Sequence, residues 1–263
     1  MTAPLPTSSR YTPHPSTLTP HGGTKAMILA AGKGTRLLPL TKHLPKCLMT
    51  LAGRPLIDWQ LSWLKKHGVT ECVINLHYLA DLVRDYVGDG RRYGLAVHYS
   101  FEPELLGTAG AVKKVAELFD EPFYVIYSDN FSRWDIRKLK TAYENVDCKG
   151  TIAVHWREDV TKSGMIELDE NGRILQLLEK PSYEQVTSHY VSAGFFYMDK
   201  NVFRYIPENG YCDFGFNVFP AMLQAGELIY AVKMDEPIIG IDTREMYEEA
   251  NALALEFEKT IQK

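Results

Sequence analysis

KAMILAAGKGTRLLPLTKHLPKCLMTLAGRPLI, residues 25–57, opens with a short apolar run ending in glycine. That is the pattern of a buried strand. Gly32-Lys33-Gly34-Thr35-Arg36 follows directly. Glycines just after a first buried strand let backbone N–H groups come close to an anion. Two familiar phosphate loops fail here. A Walker A loop needs GxxxxGK[ST], which is absent, and the dinucleotide fingerprint GxGxxG needs a third glycine where Leu37 stands. The site is therefore neither an ordinary ATPase loop nor a hydride-transfer site. Lys25, Lys33, Arg36, Lys42, Lys46 and Arg54 fall in this stretch, and no Asp or Glu occurs before Asp58. A solvated basic loop would give the same count. This run, however, begins at the C-terminal end of a strand, the edge at which open α/β sheets bind ligands. We expect it to hold a polyphosphate, Arg36 as a planar fork and a lysine as a point charge.

Downstream, strands alternate with helices. Apolar runs predict strands at 71–76, 95–100, 123–129 and 150–156, interleaved with helices at 55–67, 78–87, 108–119 and 135–146. Residues 164–181 read as a hairpin turned at Glu170-Asn171-Gly172. A strand at 191–198, a helix at 216–226, strands at 227–232 and 237–241 and a closing helix at 243–262 complete the series. Such alternation implies an α/β fold, a mostly parallel sheet covered on both faces with right-handed crossovers. With no linker-like break, we expect one domain over 25–263. Upstream, residues 1–24 hold five prolines among Thr and Ser, so we expect a flexible tail. It carries one cation, Arg10, and no apolar core, so it does not read as a secretory signal.

The 263-residue chain carries a net charge of −4, which argues against a nucleic-acid-binding surface. No apolar run approaches the length of a spanning helix, so no membrane segment is expected. Cys47, Cys72, Cys148 and Cys212 are widely spaced with no Cys-x-x-Cys pair. They read as reduced thiols of a cytoplasmic protein rather than as a zinc site or disulfide framework. The eight histidines show no metal-ligand spacing, and His77 is given no chemistry.

The stretch 29–57 resembles the signature of the sugar-1-phosphate nucleotidyltransferases, G-x-G-T-R followed about ten residues later by P-K. Its elements here are Gly32, Gly34, Thr35, Arg36, Pro45 and Lys46. Similarity continues through LGTAGAV (106–112), SDN (128–130), EKP (179–181), SAGFFYM (192–198) and DFGFNVFP (213–220). The resemblance implies a three-layer, Rossmann-like (GT-A-like) fold with a mixed, mostly parallel sheet, and a single-domain monomer or homodimer. It implies an enzyme that transfers a nucleoside monophosphate from a nucleoside triphosphate to a sugar 1-phosphate, with Mg²⁺ and release of pyrophosphate. The LGTAG segment is most similar to guanylyltransferases for mannose- or heptose-type sugar phosphates, so GTP is the expected donor. The alternative is a cytidylyltransferase acting on a phosphocholine-like phosphate or a phosphonate. A catalytically silent regulatory homologue is disfavoured, because Arg36, Lys46 and Asp129 are all present.

By the same resemblance, Arg36 would grip the leaving pyrophosphate and Lys46 would neutralise oxygens at the reacting centre. Ala30, Ala31, Gly32, Gly34 and Thr35 would line the nucleotide, with Gly107, Thr108 and Gly110 against the base. Asn75 would either face the nucleotide or satisfy a strand-end backbone group. Lys180 would hold the sugar phosphate and Glu179 the sugar hydroxyls, although a solvated turn pair before Pro181 would look the same. Gly194 and Asp213 would face the sugar. Asp129 would bind Mg²⁺, a hard cation suited to carboxylates and phosphates. The second carboxylate is ambiguous. Aligned without a gap on Thr243, Gly240 takes the metal position; with a shorter loop Asp242 does, and we expect Asp242. Two departures are Ser128, where the family has glycine, and Cys47, where proline usually follows the lysine. We expect Cys47 to be a packed small residue.

Overall fold

The computed structural model describes residues 23–261. The tail expected over 1–24 lies, for residues 1–22, outside the described residues; Thr24 already belongs to the first strand. In chain order the elements are β1 (Thr24–Leu29), β2 (Thr50–Leu51), β3 (Arg54–Pro55), α1 (Leu56–Lys66), β4 (Val69–Leu76), α2 (Ala80–Val87) and β5 (Ala96–Phe101). Next come α3 (Gly107–Lys113), β6 (Phe123–Tyr127), β7 (Asn130–Ser132), α4 (Arg137–Asn145), β8 (Gly150–Trp156), β9 (Gly164–Leu168) and β10 (Ile174–Glu179). The chain closes with β11 (Tyr190–Met198), α5 (Phe219–Gln224), β12 (Ile229–Lys233), β13 (Ile238–Gly240) and α6 (Arg244–Ile261).

Nine strands form one mixed sheet in the order β10-β9-β11-β6-β1-β4-β5, with β8 along the opposite edge of β11 and β12 beside β8. β4, β5 and β6 run parallel to β1. β11 opposes β6, while β8 and β9 oppose β11, and β12 follows β8. Only β10 and β11 therefore run against β1. The parallel core places the C-terminal ends of β1, β4 and β6 on one edge, the edge that the sequence assigned to the ligand.

Burial along β1 shows why both faces are covered. Ala26 and Ile28 pack with Leu61 and Leu64 of α1 and Leu139 of α4, while Met27 between them packs with Ala109 and Val112 of α3 and Phe219 of α5. Alternating strand residues feed opposite layers, so the unbroken apolar run Ala26–Leu29 within β1 is what a three-layer fold requires. Each such fully buried aliphatic side chain contributes about 1.5–3 kcal/mol. Among the described residues no helix is long and apolar enough to cross a membrane.

Three local outcomes differ from the sequence reading. The helix expected over 108–119 stops at Lys113; a single 3₁₀ turn follows at Ala116–Leu118, and Phe119 stacks on Phe123. The helix expected over 216–226 is a π turn, Phe214–Val218, running into α5. The strand expected at 237–241 exists as β13 but lies outside the main sheet. It pairs antiparallel with β7, Asn130 opposite Gly240 and Ile238 opposite Ser132. α6 packs Ala250 and Ala254 in a third apolar cluster that holds Phe131 of β7, Ile239 of β13 and Trp59 of α1.

Candidate active site

The loop after β1 is held by Thr41 from its own later part and by Asn75 from the end of β4. Gly34 adopts a left-handed φ of 62°, and Thr41, buried behind it, donates its hydroxyl to the Gly34 carbonyl at 2.7 Å. At the strand end the Ala30 N–H donates to Asn75 Oδ1 at 2.7 Å. Asn75 Nδ2 donates in turn to Glu102 Oε1 at 2.7 Å, and Glu102 Oε2 accepts the Leu106 N–H at 3.0 Å. Glu102 is almost fully buried. The Ala30 N–H can only donate, so it takes the oxygen of Asn75 and leaves the nitrogen facing Glu102. Of the two readings of Asn75, the geometry shows the backbone-satisfying one. Glu102 was invisible to sequence reasoning, because an isolated Glu after a strand carries no pattern.

The charged centre gathers residues far apart in the chain. Lys46 Nζ donates to Asp129 Oδ2 at 2.8 Å and to Asp242 Oδ1 at 3.0 Å, and Arg36 donates to the same Asp242 oxygen at 2.9 Å. The Lys46 side chain is only 10% exposed, whereas Arg36 is 70% exposed. Asp129 leaves the end of β6, and its carbonyl accepts the Ile241 N–H at 2.8 Å, which draws Asp242 beside it. Gly240 has no side chain and pairs with Asn130 instead, so between the two alignments the structure places Asp242, not Gly240, next to Asp129. Not all of the acid-free stretch converges. Lys33, Arg36 and Lys46 line one cavity, while Lys25 donates to the Leu118 carbonyl and Arg54 lies over the Trp59 ring. Cys47 is fully buried and its thiol is pushed up to about 12 by that burial, which suits packing and not nucleophilic chemistry.

Two cavities meet at this centre. One, of about 240 Å³, is walled by Ala30, Gly32, Gly34, Thr35 and Lys46; the other, of about 410 Å³, is walled by β8–β11 residues including His155, Arg157, Glu179, Ala193 and Gly194. Arg36, Asp129 and Asp242 belong to both. Two adjoining pockets sharing one charged wall suit two ligands whose phosphates meet there.

On the larger side, Glu179 is lodged against Gly164 and Gly215, at each of which a Cβ would collide with its carboxyl. Burial raises the pKa of Glu179, with Lys180 opposing and Asp213 adding to the shift. Gly215→Ala is therefore expected to displace the Glu179 carboxyl. Gly194, at a φ of 68°, sits where β11 departs from regular pairing with β8, close against Tyr127 and Asn130.

Other candidates lie elsewhere. Lys180 is exposed, its Nζ 5.9 Å from the Phe216 ring, and it does not line the larger cavity. Asp213 Oδ1 accepts both the N–H and the hydroxyl of Thr108, at 3.0 and 2.8 Å, tying α3 to the π turn. A Cβ on Gly107 would come within 2.5 Å of the Cys212 carbonyl, which already accepts the Ala109 and Gly110 N–H groups. Arg157 and His155 in the larger cavity were missed; they stand two apart on β8 and just beyond it, with nothing in the sequence to mark them.

Among the described residues no group of three or more His, Cys, Asp or Glu could hold a metal. Asp129 and Asp242 nevertheless bracket a single cation, the Lys46 ammonium, and offer only oxygen. That donor set fits Mg²⁺, which takes one or two protein carboxylates and completes its shell with phosphate and water.

Residues 25–237 match the model of the nucleotidyl transferase family. The chain belongs to that family. It is 34% identical over 225 residues to UTP–glucose-1-phosphate uridylyltransferase of Synechocystis sp., covering 80% of this chain and 58% of the relative. It is 33% identical over 216 residues to the mannose-1-phosphate guanylyltransferase catalytic subunit beta of Drosophila melanogaster, covering 81% and 58%. The chain thus spans 58% of the length of both relatives. A crystal structure of UDP-glucose pyrophosphorylase complexed with UDP-glucose superposes with a TM-score of 0.77 at 20% identity, covering 89% of this chain and 99% of that one. At that identity the likeness shows the fold.

Proposed function

We propose that the chain catalyses attack of a sugar 1-phosphate oxygen on the α-phosphorus of a nucleoside triphosphate, giving a nucleotide sugar and pyrophosphate. The observation that carries this reading is the shared wall of Arg36, Asp129 and Asp242 between two cavities, with Lys46 bonded to both aspartates. In-line displacement at phosphorus needs little covalent help from a protein; it needs two polyanions positioned and their charge neutralised. The glycine loop would hold the triphosphate by backbone N–H groups, Arg36 the departing pyrophosphate, and Lys46 the oxygens around the α-phosphorus. Asp129 and Asp242 would hold Mg²⁺, which when bound supplies charge neutralisation of the phosphates. Glu179, half-buried in the larger cavity, would accept bonds from sugar hydroxyls. Lys180 would reach the sugar phosphate from its place beside Phe216 by rotating its flexible side chain.

Relatives named for guanylyl transfer to mannose 1-phosphate support GTP with a manno-configured sugar as the donor and acceptor. The uridylyltransferase relative makes UTP with glucose 1-phosphate the competing pair. Pyrophosphate release from a matrix of nucleoside triphosphates against sugar 1-phosphates, phosphocholine and a phosphonate, with Mg²⁺ present, tests the reading. Release confined to phosphocholine or the phosphonate would overturn it. Arg36→Ala is expected to lower turnover about a hundredfold, the cost of one donor to transition-state charge. Its melting temperature should stay unchanged, because the side chain is largely in solvent.

A further inference from the structure

We propose that Gln60 is a positioning residue for Asp129, and that it sets the metal affinity of the site through the backbone of the Ser128-Asp129 turn. This rests on the reading of Asp129 as a metal ligand. Gln60 lies on α1 and is 4% exposed. Its Nε2 donates to the carbonyl of Tyr127 at 3.3 Å and to that of Asn130 at 3.2 Å. Those two carbonyls bracket Ser128 and Asp129, so one amide group with two hydrogens spans the turn that presents the carboxylate. The other sides of the turn are fixed by different segments. The Ser128 N–H donates to the Leu29 carbonyl at 3.0 Å, and the Asp129 carbonyl accepts Ile241 N–H. Asn130 Nδ2 donates to the Ala193 carbonyl at 2.7 Å. Gln60 is the contact from the helical layer.

The oxygen of the same amide supplies the second observation. Gln60 Oε1 is buried and has no hydrogen-bond partner. Turning the amide over would aim that oxygen at two carbonyl oxygens, so the nitrogen's two bonds decide its orientation. An unsatisfied buried oxygen costs stability, and the amide bears that cost while its nitrogen serves the two carbonyls that flank the turn. Groups one step removed from a ligating carboxylate govern metal affinity by fixing where it points.

Two variants of the full chain test this, Gln60→Met, which removes both donors, and Gln60→Glu, which keeps the shape and removes the NH₂. Mn²⁺ alone is titrated into each and into wild type and Asp129→Asn, with free Mn²⁺ followed by electron paramagnetic resonance and melting temperature recorded in parallel. Wild type should bind Mn²⁺ and Asp129→Asn should not. Both Gln60 variants should bind about tenfold more weakly. In turnover, kcat at limiting Mg²⁺ should fall and recover at high Mg²⁺, with the KM for the sugar phosphate within twofold of wild type. A lowered melting temperature with wild-type Mn²⁺ affinity in whichever variant folds would reduce Gln60 to a packing residue and sink the proposal. Equal Mn²⁺ binding by wild type and Asp129→Asn would instead overturn the metal site itself, and the proposal with it.

Discussion

Lys46→Ala is expected to lower turnover by about 10²–10³-fold, the largest single loss at this site, while leaving the fold intact. A preorganised donor aimed at developing negative charge is worth about 3–4 kcal/mol. Lys46 is better preorganised than Arg36. Its side chain is 10% exposed and its ammonium is held by two carboxylates at 2.8 and 3.0 Å, whereas the Arg36 side chain is 70% exposed and has one such contact. Removing the lysine also leaves two aspartates facing an incoming polyanion, which adds repulsion to the lost contact. Stability should change little, since Asp129 and Asp242 are each about one-third exposed and water can solvate them once unpaired. Lys46→Arg is expected to give poor rescue, because the guanidinium fork does not fit a site shaped around a nearly buried point charge. Turnover by coupled pyrophosphate release, with melting curves alongside, checks both. A Lys46→Ala variant turning over within tenfold of wild type would refute the assigned role.

Asp242→Asn is expected to weaken Mg²⁺ dependence at least tenfold, and Gly240→Asp in the same chain should fail to restore it. The pair of variants separates the two alignments of the GIDT segment. If the residue at 240 were the ligand position, an aspartate there would recover the site. The geometry favours position 242. Asp242 Oδ1 lies within bonding distance of both Lys46 and Arg36, while a Cβ at Gly240 would come 3.1 Å from Asn130 Oδ1. An Asp at 240 therefore crowds the Asn130 side chain, whose Nδ2 anchors to the Ala193 carbonyl. The Mg²⁺ concentration for half-maximal turnover decides between them, and recovery in the double variant would favour the gapless alignment.

Much of this architecture was legible in the chain. The parallel core from β1 to β6 follows from apolar runs whose alternate residues enter two layers, as Ala26, Met27 and Ile28 show. The glycine loop was recognisable because two glycines directly after a buried strand let the backbone approach an anion. The short strands β7 and β13 were not legible as a pair. Three residues are too few to show a period, and their partnership spans more than a hundred residues. The same holds for Glu102, Thr41 and Gln60, single polar residues whose meaning lies in which backbone group each one meets.

The sequence by itself determined the covering of both sheet faces, the sheet edge that carries the glycine loop and the acid-free stretch, because hydrophobic period and glycine placement act locally. The tertiary structure decided which three of six cations converge, which carboxylate joins Asp129, and that Lys180 leans on Phe216. The position of Asp242 depends on the pairing of β13 with β7, against which α6 packs. Charges that meet only after chain closure are fixed by long-range backbone pairing, and local residue patterns carry no record of it.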